Sequence, residues 1–303
     1  MSQEIILEAK NINKSFSGIP VLRDVHLDVR KGEVHALMGE NGAGKSTLIK
    51  IITGAYTKDS GQLLWKGEEV EINSLKDCQA LGMSCIYQEL SVIPALTVAQ
   101  NIYLGREPKI GKTELIDYKK MNKMAQDLID QYEFPLNARD TVDSLGIGLR
   151  QLVEILKGLS CDSELLIMDE PTASLSGKEA TILFSIIHKL RDQGVSIIYI
   201  SHRLEEVYML SDRLTILRDG RNAAILEKEE IIPKDVIQTM IGKVVDESAG
   251  SSKVLKRNTN DVVLKVEGLT RKGFFEDVSF EVRRGEIVGF GGLIGAGRTE
   301  VMR

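Results

Sequence analysis

Residues 34–47 read Val34-His-Ala-Leu-Met-Gly-Glu-Asn-Gly-Ala-Gly-Lys-Ser-Thr47 and join an apolar run to a glycine-rich loop. The loop, residues 39–46, fits the pattern Gly-x-x-x-x-Gly-Lys-Ser/Thr, in which backbone N–H groups turn inward around phosphate oxygens. The apolar run predicts a strand, and residues 47–52 can continue as a helix whose N-terminus adds partial positive charge. This order of strand, loop and helix predicts a phosphate-binding site.

Side chains of the loop complete the predicted site. Lys45 is expected to reach the β and γ phosphates of a nucleotide, and Ser46 is expected to place its hydroxyl on Mg²⁺. Phe16 is an aromatic residue suited to stacking on a base, although an ordinary packed ring is the alternative. The predicted nucleotide-binding residues are Phe16, Gly39, Asn41, Gly42, Ala43, Gly44, Lys45, Ser46 and Thr47.

Two acidic residues end a second apolar run. Residues 165–170 read Leu-Leu-Ile-Met-Asp-Glu, and the tip of a strand is where a phosphate-binding loop needs a carboxylate for Mg²⁺. We assign Asp169 to the metal, through water. Glu170 then faces the attacking water, either as its general base or as the group that holds it in line.

Two further polar residues follow predicted strands. His202 comes just after the run 196–200, where it can meet the γ-phosphate, and Gln88 comes just after the run 83–87. We predict that Glu170, His202 and Gln88 serve catalysis. The predicted Mg²⁺ ligands are Ser46, Gln88 and Asp169.

Short apolar runs alternate along the chain with longer segments of helical periodicity. Near-continuous runs are typical of strands buried on both faces of a parallel sheet, and they occur at 34–38, 83–87, 165–168, 196–200 and 214–218. One helix is predicted by a face of Met121, Met124, Leu128, Ile129 and Tyr132, and another by Ile182, Leu183, Ile186, Ile187 and Leu190. The alternation predicts an α/β fold.

The composition is that of a soluble globular protein. The chain has 303 residues, of which 43% are hydrophobic and 27% charged, so overall disorder is excluded. A net charge of −5 does not indicate a broad basic surface for nucleic acid. No signal peptide and no run of roughly 18 apolar residues is visible, so membrane contact is expected only through a partner.

The sequence begins again after a polar, Gly/Ser-rich stretch. Asp28-Val-Arg-Lys-Gly-Glu-Val34 returns as Glu281-Val-Arg-Arg-Gly-Glu-Ile287, and the loop 39–46 returns in the same register as Gly292-Leu-Ile-Gly-Ala-Gly-Arg-Thr299. Two matches in one register indicate a tandem duplication. We predict a complete nucleotide-binding domain over 1–245, a linker over 246–260, and the start of a second, incomplete domain over 261–303 of a longer protein.

In this order the motifs resemble those of the nucleotide-binding subunits of ABC transporters, over residues 4–245 and again over 261–303. The resemblance implies a P-loop core with an antiparallel β subdomain and a helical subdomain, ATP and Mg²⁺ as cofactors, and ATP hydrolysis. By this resemblance the family motifs map onto the chain as follows: Gln88 is the Q-loop residue, Asp169 and Glu170 are the Walker B pair, His202 is the switch histidine, and Phe16 is the adenine-stacking aromatic.

More narrowly, the chain resembles the tandem ATPases of monosaccharide importers of the ribose, galactose and xylose type. Residues 96–107 and 151–159 resemble segments of that group, and Arg298 stands in the second loop where Lys45 stands in the first. The resemblance implies membrane permease subunits and an extracytoplasmic sugar-binding protein as partners, no nucleic acid, and a peripheral position at the cytoplasmic face of the membrane.

Departures from the family pattern predict two unequal sites. The family signature Leu-Ser-x-Gly-x reads Leu145-Gly-Ile-Gly-Leu149 here, so Gly146 replaces the serine that in the family donates to the γ-phosphate across the dimer interface. The D-loop, residues 173–176, lacks the Asp that usually ends it. The planar guanidinium of Arg298 does not replace a compact ammonium. Because each loop in the family is completed by the signature of a second domain, in cis or in trans, we expect this chain to bind Mg–ATP but to hydrolyse it slowly.

Two other classes of function remain open. One is a soluble ABC ATPase of translation or DNA repair, for which we expect basic insertions or long coiled coils that the sequence does not contain. The other is a regulatory module or catalytically weak fragment that only binds nucleotide. ATP turnover compared with that of a Glu170→Gln variant separates an enzyme from such a module.

Overall fold

The computed structural model describes residues 4–88, 90–161, 163–242, 261–292 and 296–302. Its strands are β1 (Ile5–Phe16), β2 (Ile19–Arg30), β3 (Val34–Gly39), β4 (Ser60–Trp65), β5 (Glu68–Glu69), β6 (Met83–Ile86), β7 (Leu165–Asp169), β8 (Ser196–Ile200), β9 (Arg213–Arg218), β10 (Arg221–Glu227), β11 (Val262–Arg271) and β12 (Phe275–Arg283). Its α-helices are α1 (Lys45–Ile52), α2 (Leu75–Ala80), α3 (Val98–Ile102), α4 (Tyr118–Gln131), α5 (Ile147–Leu159), α6 (Gly177–Asp192), α7 (Leu204–Leu210), α8 (Pro233–Ile241) and α9 (Arg298–Met302). The chain divides into two compact units, Met1–Val244 and Val245–Arg303.

A six-stranded sheet lies at the centre of the described part of the first unit, in the order β10-β9-β3-β8-β7-β6. Its strands pair in parallel except for the antiparallel edge strand β10. β3, β7 and β8 are buried along their whole length, as expected for strands covered on both faces. The five predicted strands are confirmed, and each observed boundary lies within one residue of the predicted one.

A second, antiparallel sheet in the order β2-β1-β4-β5 packs with α1 against this central sheet. α1 buries Leu48, Ile49, Ile51 and Ile52 in the same apolar cluster that holds Leu7 of β1 and Ile198 of β8. The helix that follows the phosphate loop is therefore fixed from both sides. This packing holds the loop rigidly at the carboxyl end of β3.

A helical part of the first unit is built from α3, α4 and α5, whose buried side chains share one apolar cluster. α3 begins with a capping box in which Thr97 and Gln100 satisfy each other's backbone N–H groups. The predicted face of α4 is wrong at Met124, which is exposed. Ala125 is buried instead, because it lies four residues, one helical turn, after the buried Met121 and four before the buried Ile129.

The predicted fold class is confirmed: an α/β core with a phosphate-binding loop, an antiparallel β subdomain and a helical subdomain. None of the described helices combines the length and the apolar character needed to cross a membrane.

The second unit contains the antiparallel pair β11 and β12 and the short helix α9. Most of the side chains on both strands are exposed. Residues 287–292 correspond to β3 in the sequence repeat, but they form no strand and Ile287 is 97% exposed. A central strand needs hydrogen-bonded neighbours on both sides, which β3 has in β8 and β9. The predicted linker, 246–260, lies outside the described residues.

Candidate functional site

The phosphate loop joins β3 to α1 through two glycines that accept no side chain. Gly39 has a φ of 156°, and a Cβ atom on it would lie 2.3 Å from the carbonyl oxygen of Leu217 in β9. Gly44 caps α1 with a φ of 103°, in the left-handed region where a side chain is strained. The two glycines allow the loop to pass close to β9 and then to start the helix.

Lys45 is buried at the first position of α1. Its Nζ donates to the carbonyl oxygens of Gly39 at 2.7 Å and Glu40 at 3.1 Å. Burial lowers the pKa of Lys45, and the carboxylates of Glu170 and Asp169 partly offset that effect. An ammonium whose direct partners are neutral carbonyls gains a stronger, charged hydrogen bond when it turns to a phosphate.

The acidic pair stands where β7 ends. Asp169 is its last residue and is buried, and Glu170 follows with a φ of 48°, its N–H donating to the Ile200 carbonyl oxygen at 2.9 Å. Burial raises the pKa of Asp169 and the charge of Glu170 raises it further, while Lys45 and Lys50 act in the opposite direction. A divalent cation beside Asp169 would favour its ionised form. The position therefore suits a carboxylate that works together with a metal.

Glu170 connects the other two residues predicted for catalysis. Its carboxylate accepts a hydrogen bond from Gln88 Nε2 at 3.3 Å and lies 3.1 Å from His202 Nδ1. The three residues come after β6, β7 and β8, which are neighbours in the parallel sheet, so their side chains meet at one edge. A carboxylate held in this way can accept a proton from water or fix the direction of its attack.

One cavity of 950 Å³ collects these residues. Its wall consists of Val21, Gly39, Glu40, Asn41, Gly42, Gly44, Lys45, Ser46, Thr47, Gln88, Asp169, Glu170, His202 and Met240. Every residue predicted for the nucleotide, the metal or catalysis is on this wall, apart from Phe16 and Ala43. The structure thus brings four separate sequence motifs to one place.

Phe16 and Ala43 lie off this wall. Ala43 is buried within the loop, and its backbone N–H donates to the Glu40 carbonyl oxygen at 3.1 Å. Phe16 ends β1 and packs edge to face against Tyr56, with 5.3 Å between the ring centroids. Phe16 is 40% exposed, and Lys14 Nζ lies over its ring at 5.4 Å from the centroid, so stacking of Phe16 on a base stays a prediction.

Ser46, Gln88 and Asp169, the predicted Mg²⁺ ligands, share the cavity wall. The described parts of the chain contain no group of three or more His, Cys, Asp or Glu side chains arranged to hold a metal ion. Mg²⁺ that binds with a nucleotide keeps several waters and takes one or two carboxylates together with phosphate oxygens. A hydroxyl, an amide and one carboxylate fit that donor set.

Residues 22–173, half of the chain, match the model of the ABC transporter family. The chain belongs to the ABC transporter family. It is 48% identical over 301 residues to a putative ribose/galactose/methyl galactoside import ATP-binding protein of Agrobacterium fabrum, covering 99% of this chain and 59% of that protein. It is 46% identical over 303 residues to a ribose import ATP-binding protein of Streptomyces coelicolor, covering 100% of this chain and 57% of that protein. The chain therefore spans less than two thirds of the length of these relatives.

Solved structures of ATP-binding cassettes have the same fold. The crystal structure of a nucleotide-free cassette from an ABC transporter matches with a TM-score of 0.69 and 26% identity, covering 79% of this chain and all of that one. The ADP conformation of another cassette matches with a TM-score of 0.67 and 26% identity, covering 79% of this chain and 99% of that one.

Residues 145–149, the segment predicted to be the family signature, lie at the start of α5. Gly146 is the exposed N-cap of α5 and offers no side chain to the helix, although serine at that position commonly caps one of the free N–H groups. Arg150 fastens the segment instead, since its Nε donates to the Leu145 carbonyl oxygen and its Nη2 to that of Asp143, both at 2.9 Å. The segment is not part of the cavity wall.

Sequence reasoning missed a buried carboxylate near His202, the residue predicted to be the switch histidine. Glu206 accepts hydrogen bonds from the hydroxyls of Thr172, Tyr199 and Ser201, each at 2.8 Å, and from Arg203 Nη1 at 3.2 Å. The network ties the turn after the acidic pair to the end of β8. The signal in the sequence was only a glutamate shortly after a histidine, which is too weak to select.

Val21, Glu40 and Met240 were also missed as wall residues. Glu40 lies inside the loop motif, at a position where the motif accepts any residue. Val21 and Met240 are apolar and belong to no motif, so only the fold reveals their position.

Proposed function

We propose that this chain binds ATP with Mg²⁺ and hydrolyses ATP to drive the import of a monosaccharide through a membrane permease. One observation carries the proposal: Lys45, Ser46, Asp169 and Glu170 lie on the wall of a single cavity. Support for the sugar comes from the relatives, whose names read ribose import and ribose/galactose/methyl galactoside import ATP-binding protein.

In the proposed reaction the loop N–H groups and Lys45 hold the β and γ phosphates. Ser46, Gln88 and Asp169 would hold Mg²⁺, which would neutralise charge on the phosphate oxygens. A water beside Glu170 attacks the γ-phosphorus, the bond to the β–γ bridging oxygen breaks, and ADP leaves. Glu170 accepts the proton of that water or aligns it, and His202 orients the Glu170 carboxylate from 3.1 Å.

We also propose that 1–245 is one complete nucleotide-binding domain and 261–303 the beginning of a second one, joined by 246–260. Two local features support the repeat. α9 begins at Arg298 after Gly297 at a φ of 80°, as α1 begins at Lys45 after Gly44 at 103°. β11 and β12 pair in antiparallel fashion, as do β1 and β2. With a guanidinium in the second loop, that site is expected to hydrolyse poorly.

The proposed partners are membrane permease subunits and an extracytoplasmic sugar-binding protein, with the chain at the cytoplasmic face of the membrane. The segment 93–104, which follows Gln88 in the chain, supports a docking role because side-chain hydrogen bonds hold its backbone and part of its surface is apolar. Asn101 is buried and holds it, accepting from Ile93 N–H at 2.7 Å and donating to the carbonyl oxygens of Ile93 at 3.1 Å and Thr97 at 3.0 Å. Ile93 and Leu104 remain exposed on it.

ATP hydrolysis by the purified chain tests the proposal, with nucleotide binding measured in parallel. Glu170→Gln keeps the size of the side chain and removes its basicity, so we expect binding to persist and turnover to fall by at least about a hundredfold. Glu205→Gln, an exposed neighbour of the buried Glu206, serves as the matched control and should leave turnover unchanged.

The outcomes separate the enzyme from a binding module. Turnover that exceeds that of Glu170→Gln supports hydrolysis at the Lys45 site. Binding with no such difference indicates a nucleotide-binding module, or a site that needs the signature of a second domain. Adding a chain that carries the complete second domain distinguishes these two cases, since only the latter gains activity.

A further inference from the structure

Two side chains give the cavity wall an apolar surface. Within the described residues the wall consists mainly of glycines and polar or charged side chains, and the exceptions are Val21 and Met240. Phosphates are held by N–H groups, ammonium groups and metal ions, so neither side chain suits the phosphate end. A nucleotide base presents two apolar faces, and an apolar wall fits that part of the ligand.

Met240 is held in place from α8 and β9. It stands one residue before the end of α8, and its partly buried side chain packs against the apolar cluster that contains Val236 and Ile216. Arg218, the last residue of β9, donates from Nη1 to the carbonyl oxygen of Thr239 at 2.8 Å. The end of α8 is thereby tied to the end of a strand in the central sheet.

Val21 is held by the same end of β9. The N–H of Arg23 donates to the carbonyl oxygen of Gly220, in the β9–β10 turn, at 2.8 Å. A Cβ atom on Gly220 would lie only 2.2 Å from the Val21 carbonyl oxygen, so turn and strand are in close contact. Leu217 of β9 pairs in turn with Gly39, where the phosphate loop begins. One strand end thus sets the spacing between the loop and both apolar residues.

We propose that Met240 forms an apolar wall against the base of the bound nucleotide and is a specificity-determining residue of this site. This inference rests on the proposed function, that the cavity binds ATP. A thioether makes favourable contacts with aromatic rings, and it touches the ring face without reading its hydrogen-bonding edge. Met240 should therefore favour nucleotides with a large purine base, ATP and GTP alike, over ligands that carry only the phosphates.

The test compares the affinity of the full chain for ATP, GTP and inorganic tripolyphosphate, measured by calorimetry with Mg²⁺ present. Met240→Ala is expected to weaken ATP and GTP by about two- to tenfold and to leave tripolyphosphate binding unchanged. Ile237→Ala is the matched control, because Ile237 is exposed on the same helix and lies off the wall. Thermal unfolding of both variants establishes that they are folded.

A loss confined to ATP and GTP supports a wall against the base. Unchanged ATP affinity in Met240→Ala, or an equal loss for tripolyphosphate, overturns the inference while leaving ATP binding by the cavity intact. Failure of the wild-type chain itself to bind ATP contradicts the proposed function, and the inference falls with it. The wild-type and variant measurements therefore distinguish the two failures.

Discussion

Glu206 is a single residue on which two segments of the site depend. Its buried carboxylate accepts hydrogen bonds from the hydroxyl of Thr172, which follows Glu170, and from those of Tyr199 and Ser201, which precede His202. Burial and then the charge of Glu206 raise the pKa of Tyr199, so the phenol stays protonated and remains a donor. We expect Glu206→Gln to lower the free energy of unfolding by about 2 kcal/mol and to lower ATP turnover, because an amide cannot accept from all of these donors.

Urea unfolding and the pH profile of ATP turnover measure these two effects of Glu206→Gln. Glu205→Gln provides the matched control, since Glu205 is the exposed neighbour on the same helix. A positioning role predicts a changed pH profile, because the environment of His202 and Glu170 shifts. If Glu206→Gln unfolds at the same urea concentration as Glu205→Gln and keeps the wild-type profile, the carboxylate has neither role.

At the level of elements, the strand–loop–helix unit depends on backbone shape at Gly39. A Cβ atom there would lie 2.3 Å from a backbone oxygen of β9, and a backbone atom in a paired strand cannot move aside cheaply. We expect Gly39→Ala to destabilise the protein by about 3 kcal/mol and to abolish ATP binding. Urea unfolding and calorimetry with ATP measure the two effects.

Gly18→Ala is the matched control, because it imposes the cost of a positive φ on alanine without a clash with neighbouring atoms. Gly18 has a φ of 81°, and a Cβ atom added to it would have no neighbouring atom within 4 Å, so Gly18→Ala should cost only about 1 kcal/mol. An equal loss of stability in both variants would mean that the close approach of β9 does not matter at Gly39.

The elements themselves could be predicted where their signal is local. The five strands of the parallel sheet are apolar runs, and buried strands leave that pattern directly in the sequence. The face of α4 was assigned less well, because Met124 looks more suited to a core than the small Ala125. Side-chain size does not determine which residue lies one helical turn from Met121. Residues 287–292 repeat the sequence of β3 without forming a strand, since a repeated sequence does not supply the neighbouring strands that β3 has in β8 and β9.

At the scale of the whole molecule, the motif residues of the candidate site could be predicted from the sequence, whereas the two apolar residues on its wall could not. Residues of the loop and the strand ends are recognisable from the chemistry that phosphate and Mg²⁺ require. Val21 and Met240 lie far apart in the sequence, and the end of β9 brings them together through contacts that leave no local pattern. Glu206 was missed because its partners lie in two segments, at Thr172 and over 199–203, and only the fold brings the first of these to the second.

The final prediction concerns a buried charge network that joins distant parts of the chain. Arg213 of β9 donates from Nε and Nη2 to Glu33 at 3.0 Å, and from Nη2 to Asp28 at 2.7 Å, while His35 Nδ1 lies 3.4 Å from Glu33. Burial alone would raise the pKa of Glu33, but hydrogen bonds from His35 and Arg213 outweigh it and lower that pKa below its ordinary 4.5. Glu33 therefore contributes stability above pH 4.5 that is lost as the pH falls through its folded-state pKa.

Glu33→Gln removes this titration, so the stability of the variant should depend less steeply on pH than that of the wild type below pH 4.5. At neutral pH the variant should be less stable than the wild type, because Arg213 then lacks a buried counter-charge. Urea midpoints measured between neutral pH and the onset of acid unfolding give both quantities, with Glu205→Gln as the exposed control. Parallel curves for the wild type and Glu33→Gln would show that the network does not link the acid stability of the molecule to Glu33. If the urea midpoint falls more steeply with decreasing pH in the wild type than in Glu33→Gln, the acid stability depends on the contact of Arg213 with Asp28 and Glu33.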